Sequence, residues 1–143
     1  MQGGNGELAV ANSECLSADV NAALDPTFSD VMERRNAAML NYGAVVTKYT
    51  GARGKSGTND ASAEFVGKVR LTLNAAGVKW QTGEMGKVDA GGGGTVAMFV
   101  ANLGADVVDL GVPVLSMHAP FEVVAKYDVY MVYRAAKAFY ESK

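Results

Sequence analysis

The sequence predicts an α/β fold of three layers, with helices on both faces of a sheet. Two observations carry this expectation. Short β-branched runs alternate with helix-like runs along most of the chain, and two of the latter show clear helical periodicity. The 143-residue length suits one domain or a part of one.

Taken in order, "MQGGNGE" reads as a loose start, and "CLSADV" (15–20) as a short strand with Asp19 near its end. "NAALDPTF" then turns, with Pro26 as the breaker. Residues 30–43 have a mixed pattern that assigns no element. "AVVTKYT" (44–50) is β-branched and strand-like, and "GARGKSG" (51–57) is a glycine loop. The first helix is expected over 58–77: Phe65, Val69 and Leu73 recur at a spacing of four, with Ala61 and Ala76 beside them. Thr58 or Asn59 is the expected cap at its start and Gly77 at its end. "VKWQTGEM" (78–85) alternates like a strand, and a second glycine loop follows over 86–95. Residues 96–104 fit a short buried helix closed by Gly104, 105–111 a strand, and 112–117 an extended run. The strongest helical pattern spans 121–142. Val124, Asp128, Met131, Ala135 and Ala138–Phe139 form one stripe, interrupted only by Asp128.

Bulk properties exclude several functions. The net charge is −2 and no basic block stands out, which argues against nucleic acid or an anionic membrane surface as partner. No apolar run is long enough to cross a bilayer, and the N-terminus has no signal-peptide pattern. The single Cys15 cannot form an internal disulfide, so a cytoplasmic location is expected.

Three features could carry chemistry. Gly54-Lys55-Ser56 invites a phosphate-loop reading, but the position five residues before Gly54 is Tyr49, not the glycine that motif needs. A nucleotide-binding α/β domain is therefore the weaker alternative. "DAGGGGTV" holds four consecutive glycines, which cost entropy to order. Such a run suits a place where a side chain would obstruct a ligand or another stretch of backbone, or else a disordered surface loop. His118, the only histidine, and Asp19 each fall at the end of an expected strand, where ligands of open α/β sheets collect. Imidazole and carboxylate together suit zinc and similar divalent ions. Taken singly, His118 also reads as a partly buried structural histidine and Asp19 as a turn residue.

"LSADVNAALDPTF", "VVTKYTGARGKSGTNDASAEFV", "GGGGTVAMFVANLGADVVDLGVPVLSMHAPFEV" and "YDVYMVYRAAKAFYE" together resemble the C-terminal portion of zinc aminopeptidases. The family is that of aspartyl aminopeptidase and yeast vacuolar aminopeptidase I, with the strongest likeness to clostridial members. The resemblance implies a two-zinc site in a zinc-peptidase (phosphorylase/hydrolase-like) α/β catalytic domain that removes N-terminal amino acids from peptides. It implies that Asp19 holds one metal and His118 the other, with other divalent ions as substitutes for zinc. Lys48, Gly94, Thr95 and Met117 correspond to substrate-side positions. Ala119 stands where the family usually has serine, and the loop 51–57 is richer in glycine and base than in acidic-specific members.

The family's first histidine ligand, bridging aspartate and paired glutamates have no counterpart, because neither H-x-D nor E-E occurs in these residues. Residues 1–143 are thus expected to be a C-terminal segment that carries no general base and is inactive alone. The expected partners are a peptide substrate and either further copies of the chain or the N-terminal portion. A non-catalytic assembly piece of the same family is the alternative.

Overall fold

The computed structural model describes residues 6–53, 55–87 and 89–142. Helix α1 (Gly6–Ala11) leads into β1 (Glu14–Ser17) and the two-residue β2 (Asn21–Ala22). A 3-10 helix (Pro26–Val31) follows, its first turn capped by the Asp25 carboxylate, which accepts the Thr27 N–H. Then come β3 (Ala44–Thr47), α2 (Ala63–Ala75), β4 (Trp80–Thr82), α3 (Ala97–Ala101), β5 (Asp106–Gly111), β6 (Pro113–Leu115), β7 (Val123–Val124) and α4 (Lys126–Glu141). One sheet has the order β1-β5-β3-β4 and a second, smaller sheet the order β2-β6-β7. In the first, β5 is parallel to β1 and antiparallel to β3, and β3 is parallel to β4.

Alternation along the central strands makes the layers. Val108 and Leu110 of β5, with Ala44 and Val46 of β3, face α2 and α4, where Phe65, Val69, Leu73, Met131 and Ala135 are buried. Each large apolar side chain buried there contributes about 1.5–3 kcal/mol. Val107 and Cys15 face the opposite way, onto α3 and Val10 of α1. The expected three layers are therefore present.

Several boundaries differ from expectation. Helix α2 is capped by Ser62, whose Oγ accepts the Phe65 N–H at 3.2 Å. Thr58 is unavailable as a cap because its hydroxyl accepts the Thr50 N–H, and Asp60 bridges back to Tyr49 in extended conformation. Helix α3 buries only Ala97, and Phe99 is 64% exposed, so it is a surface helix. The start of the last helix also moves. Residues 123–124 pair antiparallel with β6, Val114 opposite Val124, and the helix begins only at Lys126.

Asp128, the interruption in the α4 stripe, is fully buried. Its two carboxylate oxygens accept the backbone N–H groups of Asn41 and Gly43, each at 2.7 Å. The last helix thereby fixes the turn that feeds β3. The outer edge of β1, by contrast, pairs with no strand among the described residues.

Asp128→Ala strands two N–H groups at this turn. The expected cost is about 3 kcal/mol, with a smaller loss for Asp128→Asn, read from urea unfolding of the two variants.

Candidate metal centre

The chain passes twice through the same parallel path. Glu14 to Ser17 face Asp106 to Asp109, and after a gap Asn21 and Ala22 face Pro113 and Val114. Both strands advance the same four positions across that gap, so the register of the first sheet continues into the second. Asp19 falls inside the gap on one strand. On the other strand its counterpart is Gly111, where a Cβ would sit 1.2 Å from the Asp19 carbonyl oxygen. Only glycine lets the two chains approach this closely. The Asp19 carboxylate turns onto its own neighbour, Oδ1 accepting the Val20 N–H at 2.8 Å, and the residue stays exposed.

His118 sits in the seven-residue hairpin loop, 116–122, between β6 and β7. It is not at a junction of strand and helix, as the sequence pattern suggests. Ser116 and His118 both adopt left-handed backbone conformations, with φ of 58° and 67°. The Ala119 N–H donates to the Ser116 carbonyl at 2.9 Å, and the His118 N–H to the Glu122 carboxylate at 2.6 Å.

Asp19 and His118 line one hollow of about 330 Å3, together with Gly94, Thr95 and Met117. Five of the six positions singled out from the sequence thus meet in one place. Lys48 is not among the lining residues. Its ammonium pairs with Asp60, which Lys55 also engages, and these two cations hold the Asp60 carboxyl below its ordinary range. A larger open groove of about 640 Å3 between α2 and α4 has Glu141 as its one carboxylate and no imidazole.

The four-glycine run is one wall of the hollow, and the other glycine loop packs behind it. The Gly51 N–H donates to the Gly93 carbonyl at 2.7 Å and the Arg53 N–H to the Gly91 carbonyl at 3.2 Å. Gly92 has φ +111°, and a Cβ there would lie 1.7 Å from the Gly51 carbonyl oxygen. The obstruction that excludes side chains is therefore another backbone. Gly54 lies outside the described residues, but residues 57–62 separate Ser56 from α2, so this loop does not open onto a helix N-terminus as a phosphate loop does.

Two further residues shape the site. Asp109 of β5 is 4% exposed, and its Oδ2 accepts the Thr95 hydroxyl at 3.0 Å, tying the end of the glycine run to the sheet. Burial pushes its carboxyl above the usual range, against the hydroxyls of Ser17 and Thr95, and the Asp19 charge adds to the rise. An acidic residue inside the apolar run "VVDLG" is the signal that could have marked it. Glu84, in an adjoining cleft with Tyr49, Thr50 and Gly51, is pushed up to about 7 by burial, partly offset by Lys55.

A carboxylate and an imidazole lining one hollow are the right donors for zinc, and they are two of the roughly three or four protein ligands that zinc takes. No group of three or more histidine, cysteine, aspartate or glutamate side chains able to hold a metal occurs among the described residues. The fold is that of an α/β protein, and the comparisons identify its family. The family model described as Aminopeptidase I zinc metalloprotease (M18) matches residues 2–140, and the chain belongs to that family.

It is 52% identical over 131 residues to a probable M18 family aminopeptidase 1 of Clostridium acetobutylicum, covering 92% of this chain and 28% of the relative. The Thermotoga maritima counterpart is 51% identical over 130 residues, with coverages of 91% and 29%. The crystal structure of aminopeptidase I from Clostridium acetobutylicum superposes with a TM-score of 0.89 at 51% identity, over 93% of this chain and 29% of that one. The S. cerevisiae mApe1 dodecamer, at 24% identity, shares the fold with a TM-score of 0.75, over 94% of this chain and 28% of that one. The chain thus spans less than a third of the length of the relatives it matches. No helix among the described residues is long and apolar enough to cross a membrane.

Two predictions follow from this geometry. Gly111→Ala forces main chain apart and is expected to cost about 3 kcal/mol in urea unfolding, whereas Gly67→Ala in α2, with open space at its Cβ, stabilises by about 0.5–1 kcal/mol. Glu84 binds its proton more tightly folded than unfolded, so its contribution to stability is lost as pH rises from about 4.5 to about 7. Glu84→Gln should therefore raise the melting temperature relative to the parent at pH 8 and leave the difference small at pH 4.5, by calorimetry.

Proposed function

We propose that residues 1–143 are the C-terminal segment of a dinuclear zinc aminopeptidase catalytic domain. The single observation that carries this reading is the meeting of Asp19 and His118 on one hollow, in a chain that belongs to the M18 family. In this reading each holds one of two metals, with other divalent ions able to replace zinc. Bound zinc supplies an acidified water and polarises the scissile carbonyl.

The chain's own residues bind and orient. Gly94 and Thr95 present main chain to an extended peptide along the wall, and Asp109 keeps that wall in place through Thr95. Met117 gives the hollow an apolar side next to His118. Lys48 reaches the substrate only after releasing Asp60, which keeps Lys55 as its counter-ion. The general base and the remaining metal ligands come from elsewhere in the complete enzyme, so the isolated chain holds metal weakly and turns over nothing.

The partner that completes the site is the remaining portion of an M18 chain. The open edge of β1 and the apolar groove beside it, lined by Leu16, Leu110, Val132, Ala136 and Phe139, suit such a partner. Higher assembly into a homo-oligomer accords with the dodecamer reported for the yeast relative. The setting is a reducing cytoplasm, where Cys15 stays a thiol.

Zinc titration of the purified chain tests the reading. Weak binding is expected, reduced about tenfold or more by Asp19→Ala and by His118→Ala, with no release of amino acid from peptide substrates. Zinc binding that both variants leave intact, or robust turnover by the isolated chain, overturns it.

A further inference from the structure

We propose that Glu122 is a positioning residue for His118: its carboxylate holds the His118 backbone in the conformation that turns the imidazole toward the hollow. The inference rests on the metal reading of His118.

The loop 116–122 carries two non-glycine residues in left-handed conformations, Ser116 and His118. Left-handed backbone is strained for a residue with a side chain, so the loop needs bonds that hold it. It has two. The Ala119 N–H to Ser116 carbonyl bond closes the front of the turn, and the Glu122 carboxylate takes the His118 N–H directly. At 2.6 Å, with a carboxylate acceptor, the second belongs to the stronger class of hydrogen bonds.

Its geometry is also well anchored. Glu122 immediately precedes β7, whose register is fixed by Val123 opposite Leu115. The carboxylate is thus delivered from a strand end, and His118 is held from both sides of the hairpin. Asp19, which lines the same hollow, needs no such aid because the sheet register and Gly111 place it. Glu122 itself is not among the residues lining the hollow, which separates it from a direct ligand.

The test compares Glu122→Ala and Glu122→Gln with the parent chain. In the absence of metal, NMR hydrogen exchange at the His118 amide reads the clamp alone. Exchange should be about tenfold faster in Glu122→Ala, while Glu122→Gln, which keeps an acceptor oxygen, stays near the parent. Zinc affinity, followed through the His118 ring resonances, should fall about tenfold in Glu122→Ala and within about threefold in Glu122→Gln. The melting temperature should stay within about 2 °C in both, since the loop lies outside the core.

An unchanged His118 amide in Glu122→Ala overturns the clamp. An unchanged zinc affinity in that variant overturns the positioning role. Equal loss of zinc in both variants with the amide still protected in Glu122→Gln makes Glu122 a ligand and overturns it too. If His118→Ala leaves zinc binding intact, the metal reading has failed, and the amide exchange still decides the clamp independently.

Discussion

The site depends on one pairing. Residues 14–22 and 106–114 run side by side in parallel, in a single register, through two different sheets. Everything at the hollow is referenced to that shared path. Asp19 lies in its gap, Asp109 lies one ladder step before the gap, and the hairpin bearing His118 starts where the path ends. Parallel strands need long connections, and here the connection between the two passes carries β3, α2, β4 and α3. A carboxylate and an imidazole about a hundred positions apart in sequence are brought together by main-chain hydrogen bonds rather than by contact with each other.

The glycine loops serve the same geometry by a different means. Gly51, Gly91, Gly92 and Gly93 let two stretches of backbone lie against one another, and this ordered pair forms a wall. Asp109 anchors its end through Thr95. The conformational entropy that glycine loses on ordering is offset by main-chain hydrogen bonds and by packing of Gly92 on Gly51. A wall of this kind presents peptide groups to whatever enters, with few side chains to discriminate.

Much of this was legible in the residues. The four-residue spacing of Phe65, Val69 and Leu73 and the β-branched run at 44–50 are signals of periodicity, and α2 (Ala63–Ala75) and β3 (Ala44–Thr47) form within the runs 58–77 and 44–50 that they mark. Asp19, Gly94, Thr95, Met117 and His118 could be singled out because their motifs occur together and in order. What was not legible is non-local. Val123 and Val124 fall inside the helix expected over 121–142, yet β6 recruits them as a strand. Thr58 is a good cap in isolation, yet Thr50 takes its hydroxyl. Asp128 breaks an apolar pattern, and only the turn at Asn41 and Gly43 shows why a carboxylate belongs there. A partner eight to ten residues away in the first two cases, and 85 or 87 residues away in the third, overrides local preference.

The bare flank of β1 has a practical consequence. Among the described residues no strand takes up the amides and carbonyls on that side of β1, and such an edge is a template on which identical molecules can stack. The ion pair of Glu14 with Lys68 places charge at the mouth of that flank, a modest gatekeeper against such stacking. Handling conditions that screen this charge, such as high salt, weaken the guard while leaving the interior untouched.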